Sequence, residues 1–132
     1  SPAKNFMEFL VVKKDGETYI DEGTFLLKAN EKMVAVLEGY INKKVILGIR
    51  PEHVYDRLYH SGTKTEGKML MATVEVVEPV GSEKYLYVTT GRNTFVARVD
   101  AHNKAEVGQD IEFVVDTDKM HVFDIETEKT IA

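Results

Sequence analysis

Residues 62 to 68 read Gly-Thr-Lys-Thr-Glu-Gly-Lys, the first seven positions of a phosphate-binding loop. That chemistry needs a Ser or Thr in eighth place, whose hydroxyl binds Mg²⁺. It also needs a strand before and a helix after, so that backbone amides and the helix terminus meet the phosphates. Met69 occupies the eighth place, polar Tyr59-His60-Ser61 precedes the segment, and an alternating β pattern follows it. The stretch is therefore read as a loop without nucleotide. The histidines His53, His60, His102 and His121 form no His-Glu-x-x-His motif and no i, i+4 pair. They read as surface or turn residues rather than metal ligands. Asp116-Thr117-Asp118 begins like a calcium loop, but Met120 stands at the third ligand position and no glycine follows; it reads as a turn. Ser61 and Ser82 offer hydroxyls for nucleophilic work, and neither sits in a Gly-x-Ser-x-Gly elbow. Carboxylates are plentiful, but no spacing singles out a pair for acid-base work. No catalytic, cofactor-binding or metal residue is assigned.

The elements that would have to position such groups are short strands. Residues 6 to 12, Phe-Met-Glu-Phe-Leu-Val-Val, suit a buried strand, and Asp15-Gly16 supplies the positive φ of a tight hairpin into Glu17-Thr18-Tyr19-Ile20. A turn at Asp21-Glu22-Gly23 leads to a strand over 24–27. Asn30 stands as N-cap before Glu31, with Met33, Leu37 and Tyr40 at helical spacing, which predicts one short helix over 31–40. Lys44 to Arg50 reads as a strand ended by Pro51. Residues 55 to 67 read as a long polar loop. Beyond it Leu70, Ala72, Val74 and Val76 alternate with Met71, Thr73, Glu75 and Val77, and this strand is expected to stop at Glu78-Pro79-Val80-Gly81. Further strands follow at 85–90, at 94–99 with Phe95, Ala97 and Val99 on one face, and at 111–115 with Ile111, Phe113 and Val115 together. A final pairing joins Val122-Phe123-Asp124 to Lys129-Thr130-Ile131. Many short strands between turn signals indicate a small barrel or sandwich. The loop near residue 60 divides a smaller β-α-β part from a C-terminal barrel, and the two are expected to share one core.

Bulk properties narrow the function classes. The chain has 132 residues, which fits one domain, with 43% hydrophobic and 30% charged residues and a formal charge of −5. That charge argues against nucleic acid, whose binders carry a basic face; Lys13-Lys14 and Lys43-Lys44 are the only adjacent Lys/Arg pairs. No cysteine is present, so disulfides and thiolate metal sites are impossible. No run of about 18 apolar residues occurs to span a membrane. The N-terminus lacks the pattern of a signal peptide, and the missing initiator methionine suggests a piece cut from a longer protein.

Four places carry a family resemblance. The chain opens Ser1-Pro2-Ala3-Lys4-Asn5-Phe6. Residues 46 to 54 read Ile-Leu-Gly-Ile-Arg-Pro-Glu-His-Val. Residues 74 to 87 read VEVVEPVGSEKYLY, followed by Phe95-Val96-Ala97-Arg98-Val99. The end reads Met120-His121-Val122-Phe123-Asp124-Ile125-Glu126-Thr127-Glu128. Together these resemble the C-terminal transport-associated OB domain of importer ATPases of the maltose-importer type, over nearly the whole chain and in order; residues 13–45 and 55–67 carry no specific match. The resemblance implies a mainly β, OB-fold-like small antiparallel barrel with one short helix. It implies a single domain over 1–132, with sub-parts 1–54 and 68–132. The ATPase domain, with its ATP and Mg²⁺ sites, would belong to a part of the parent protein absent from this chain.

The implied function is non-catalytic: regulation and dimerisation of the ATP-binding subunit of a sugar importer, at the inner face of the cell membrane. Implied partners are a second copy of the ATPase subunit, the membrane permease subunits and a regulatory protein, with no nucleic acid. The family-motif residues proposed for structure or subunit contact are Gly48, Arg50, Pro51, Glu52, His53, Gly81 and Glu83, with Arg50 and Glu52 paired to each other or to a neighbouring chain. The alternative is a stand-alone OB-type module for oligonucleotide or a small anion, with Tyr85, Tyr87 and Phe95 as the stacking platform.

Overall fold

The computed structural model describes residues 4–60, 62 and 64–132. Among the described residues ten strands form two five-stranded sheets, antiparallel in every pairing, with one short helix. In the first sheet β1 (Asn5–Lys14), β2 (Glu17–Asp21) and β3 (Leu26–Lys28) make a meander. Asp15 (φ 52°) and Gly16 (φ 78°) close its first hairpin, the two positive φ values that a tight β1–β2 turn demands. The helix α1 (Glu31–Leu37) follows, capped as expected: the Asn30 side chain accepts from Met33 N–H at 3.1 Å. It is shorter than expected, because residues 38–40 tighten into a 3₁₀ turn. Met33 and Leu37 are its buried residues. The chain then returns as β4 (Lys44–Ile49) along the other side of β1.

The second sheet repeats this path. Strands β6 (Met69–Val80), β7 (Glu83–Thr89) and β8 (Thr94–Asp100) form a meander, and β9 (Asp110–Val115) returns alongside β6. The fifth strand of each sheet comes from the other half of the chain. Strand β5 (Val54–Asp56), which directly follows β4, pairs with β9; β10 (His121–Phe123), which follows β9, pairs with β4. The sheet orders β10-β4-β1-β2-β3 and β5-β9-β6-β7-β8 are thus the same order with the last strands exchanged. In the second sheet β5 and β8 lie side by side across a shallow hollow of about 170 Å³ lined by Tyr55, Tyr59, Arg98 and Asn103, so this barrel is nearly closed. Phe9, Leu47, Val54, Leu86, Phe113 and Val122 belong to one continuous apolar cluster drawn from both sheets.

Three expectations are corrected. The segment 55–67 is not all loop: its first residues are β5, and 57–59 form a 3₁₀ turn capped by the Asp56 carboxylate. Val76 does not share the buried face of Leu70, Ala72 and Val74. A bulge between Val74 and Val76 shifts the register by one, leaving Val76 half exposed and turning Val77 against the core. The same strand runs through Pro79 instead of stopping at Glu78. Val80 and Glu83 flank a two-residue turn and bond to each other, as do Glu78 and Tyr85, which turns the ring nitrogen of Pro79 to the edge not covered by β9. There a missing N–H costs no ladder bond.

Candidate functional site: the crossover between the barrels

The Gly48-Ile49-Arg50-Pro51-Glu52-His53 segment is where the chain leaves the first sheet for the second. Pro51 is buried and starts a 3₁₀ turn over 51–53, with Arg50 extended before it (φ −77°, ψ 148°), the conformation that a following proline favours. His53 N–H donates to the Arg50 carbonyl at 3.0 Å, and Val54 N–H donates to that of Pro51. The opposite crossing, from β9 to β10, runs beside this one through a 3₁₀ turn over 117–119 capped by Asp116. Asp116 N–H donates to the His53 carbonyl at 2.9 Å, tying the crossings together. Asn30, the helix cap, donates through Nδ2 to the Thr117 carbonyl at 2.8 Å and so fixes α1 to the same point. The Asp116-Thr117-Asp118 string is a cap and a turn.

Gly48 lies opposite Phe6 on β1 and His121 on β10. A Cβ there would meet the Phe123 ring at 3.0 Å, Lys4 Cδ at 3.2 Å and the Phe6 ring at 3.2 Å. Its missing side chain is the space in which Phe6 and Phe123 come together, with ring centroids 6.0 Å apart. Arg50 is exposed and Glu52 half-buried, and no ion pair joins them among the described residues. His53 has a buried Nδ1 without a hydrogen-bond partner among the described residues. Gly81 (φ 63°) supplies the positive φ of the β6–β7 turn, and Glu83 pairs with Arg98 Nε at 3.0 Å on the adjacent strand. Gly81 and Glu83 thus serve the β6–β7 hairpin and its pairing with β8.

Two polar links between the barrels were not singled out from the sequence. Asn5 is 8% exposed; its Nδ2 donates to the Val96 carbonyl at 2.9 Å and its Oδ1 accepts Val96 N–H at 2.8 Å. One side-chain amide thereby completes the edge of β8 as a neighbouring strand would. Its membership of the opening Ser-Pro-Ala-Lys-Asn-Phe string was the available signal; Ser1, Pro2 and Ala3 lie outside the described residues. The second link is Glu22, 3% exposed, in the turn after β2. Its carboxylate accepts from Thr24 N–H at 3.1 Å, Thr24 Oγ1 at 2.6 Å, Asn93 Nδ2 at 2.8 Å and Thr90 Oγ1. Burial pushes this carboxyl upward, but the hydrogen bonds from Asn93, Thr24 and Thr90 outweigh it and hold it below the ordinary glutamate value. No sequence pattern distinguishes Glu22 from the other acidic turn residues.

The residues first considered for chemistry do not converge. Turn geometry at Glu66 and Gly67 (φ 73°) leads from the Gly62–Lys68 segment into β6, so no helix N-terminus stands there to meet phosphates. Ser61 and Thr63 lie outside the described residues. Ser82 is exposed in a hairpin turn. Among the described residues no three of His, Asp or Glu are grouped to hold a metal ion. The stacking platform is not assembled either: Phe95 faces the interior at 3% exposure, edge-on to Phe113, while Tyr85 and Tyr87 lie on the opposite face and Tyr85 is itself buried.

Residues 47–123 match the family profile described as the TOBE domain, and residues 1–54 match that described as the MalK OB fold domain. The chain belongs to the TOBE domain family. Over 99% of its length this TOBE domain is 35% identical to the trehalose/maltose import ATP-binding protein MalK of Thermococcus litoralis. It is 37% identical to the multiple sugar-binding transport ATP-binding protein MsmK of Streptococcus mutans. Identity is 34% with the oligosaccharides import ATP-binding protein MsmX of Bacillus subtilis. It spans about a third of those relatives, 35%, 34% and 35% of their respective lengths. Among solved structures, the cytoplasmic molybdate-binding protein ModG shares the fold with a TM-score of 0.65 at 12% identity, over 92% of this chain and 96% of that one. No helix among the described residues is long and apolar enough to cross a membrane.

Proposed function

We propose that this TOBE domain is the non-catalytic assembly and regulatory part of the ATP-binding subunit of an ABC importer for sugars. The observation that carries the reading is the end-to-end likeness, at 34–37% identity, to proteins named as sugar-import ATP-binding subunits. ATP and Mg²⁺ belong, in this reading, to an ATPase domain elsewhere in the parent protein. The partners are a second ATP-binding subunit, the permease subunits and a regulatory protein, and the place is the inner face of the cell membrane. The geometry suits that role. Gly48 makes room for the Phe6–Phe123 contact within the first sheet, Pro51 and the His53 carbonyl serve the crossover to the second, and Asn5 and Glu22 pin the two together at further points. A block held this way can transmit contact forces between subunits. Arg50 and Glu52, without an internal ion pair among the described residues, are left to meet a neighbouring chain. Calorimetry of this chain with Mg-ATP is expected to give no saturable heat, while deletion of the domain from the parent transporter lowers sugar-stimulated ATP hydrolysis. A micromolar dissociation constant for Mg-ATP on the isolated chain would overturn the assignment.

A further inference from the structure

We infer that the two hollows sharing Tyr59 are a binding site for a short neutral oligosaccharide, with one sugar ring in each hollow and the Tyr59 side chain between them. The choice of a sugar rests on the reading of this chain as part of a sugar importer; that the ligand is small, neutral and rich in hydroxyls comes from the site. Strand β5 is hydrogen-bonded to β9 and lies close to β8 without ladder pairing. One hollow of about 170 Å³ lies toward β8, against Arg98, Val99 and Asp100, and a second of about 170 Å³ lies toward β9, against Asp110, Ile111 and Glu112. Asp56 and Tyr59 line both. Each hollow is well below the roughly 300 Å³ at which pockets for drug-sized ligands begin, and suits a single ring.

The shared floor is polar, buried and held in place. Asn103 Nδ2 donates to Asp56 Oδ2 at 3.0 Å, and Leu58 N–H donates to Asp56 Oδ1 at 3.1 Å. A carboxylate has about four lone-pair sites, so Asp56 retains acceptor capacity that sugar hydroxyls can fill. Asn103 is fixed in turn: its Oδ1 accepts Ala105 N–H at 2.8 Å and its carbonyl accepts Lys84 Nζ at 2.6 Å. Tyr59 is more than half exposed, with its hydroxyl accepting Lys104 N–H at 3.4 Å, and offers an apolar ring to the C–H face of a sugar. His60 stacks on Tyr55 at 5.0 Å and 28°, which fixes the second ring of the hollow toward β8. Charge selects against an anion. Arg98 is paired with Glu83 and Arg57 with Glu112, while Asp56, Asp100 and Asp110 add further carboxylates. Among the described residues no three such groups converge to hold a metal ion. A neutral polyhydroxyl ligand meets fixed donors and acceptors and brings no charge to desolvate. It would bridge β5 and β8 beside the 51–53 turn, giving the regulatory role a direct chemical input.

Backbone-amide NMR of the chain titrated with maltose tests this. The amides of Tyr59, Asn103 and Ala105 are expected to shift along one saturable curve, with a dissociation constant on the order of 1–10 mM, as a shallow site with one main stacking ring gives. Tyr59→Ala is expected to weaken binding about tenfold, and Tyr59→Phe to retain it. Tyr59 is exposed, so both variants keep the core, and unchanged spectra away from the hollows verify the fold. Glucose, filling one hollow, is expected to bind about tenfold more weakly than maltose. Sorbitol at equal concentration is expected to give no localised shift. A response that does not saturate, that sorbitol reproduces, or that Tyr59→Ala leaves unchanged would overturn the site. Equal affinity for glucose and maltose would overturn the arrangement of one ring per hollow. Either failure leaves the importer assignment standing, because deletion of the domain from the parent transporter tests that separately.

Discussion

At the scale of single residues the domain depends on the buried, hydrogen-bonded side chains of Asn5 and Glu22. Asn5→Ala would orphan both the N–H and the carbonyl of Val96, and leaving buried backbone groups unmade costs about 1–3 kcal/mol. The midpoint of urea unfolding is therefore expected to fall for Asn5→Ala with the slope unchanged. Asn5→Asp retains the acceptor but loses the donor and should also be destabilised. Glu22 gives a pH signature. Because hydrogen bonding lowers its folded-state pKa, it contributes stability that is present above the unfolded glutamate value, near 4.3, and is lost as pH falls through the depressed folded value. Glu22→Gln is expected to be less stable at neutral pH, since an amide NH₂ would face donors, and to lose that part of the acid dependence. Parallel melting-temperature profiles for the two proteins between pH 3 and 7 would rule out Glu22 as the titrating link. Side chains such as Asn5 and Glu22 were hard to read from sequence, because their partners Val96, Thr90 and Asn93 lie roughly 70 to 90 positions away.

At the scale of elements, local signals were legible wherever the decisive contact was local. Asp15-Gly16 fixes its hairpin through the conformation of two adjacent residues, and Asn30 caps α1 through a bond three residues away. The alternation of Phe95, Ala97 and Val99, or of Ile111, Phe113 and Val115, reports directly which face is buried. What failed was decided at a distance. The bulge that exposes Val76 shows only in pairing with β7, and β5 is too short and too polar to stand out except by its pairing with β9. Pro79 looked like a terminator because its cost in a strand depends on which neighbour is present. The last part of β6 has β7 on one side and no strand on the other, and Pro79 stands on that open edge beside Glu75 and Glu78. Proline and charge on an unpaired edge guard against edge-to-edge association. Pro79→Thr is thus expected to leave melting nearly unchanged while restoring a donor to the edge. Concentration-dependent association, seen by light scattering at high protein concentration, should rise relative to the parent sequence. Equal scattering from both would show that the edge is guarded by other features.

At the scale of the whole molecule, the repeated five-strand path explains why a sequence without visible internal repetition folds into two sheets of like strand order. Only pairing order is repeated, and order imposes the alternation of each strand without imposing identities. The exchange of β5 and β10 was invisible for the same reason, since nothing in Val54-Tyr55-Asp56 or His121-Val122-Phe123 states which sheet receives it. The resulting block bears on how copies would associate. In the proposed assembly the domain meets a second copy while tethered to ATPase and permease subunits, and tethering supplies a high effective concentration that the free chain lacks. A formal charge of −5 adds mild repulsion between free copies, screened beyond about 10 Å at 0.1 M salt. Exposed apolar residues are spread over several elements: Phe6 on β1, Leu58 after β5, Met71 and Val76 on β6, and Val107 before β9. Scattered apolar groups of this kind support only modest contact area between rigid copies. The free chain is therefore expected to sediment as a monomer at micromolar concentration and to self-associate only near millimolar. Higher salt should strengthen that association slightly, because it screens the repulsion. A dimer that persists at nanomolar protein would show that this domain alone drives pairing. If the Arg50→Ala, Glu52→Ala double variant, with its fold intact, pairs as the parent does within the assembled transporter, those two side chains have no part in the contact.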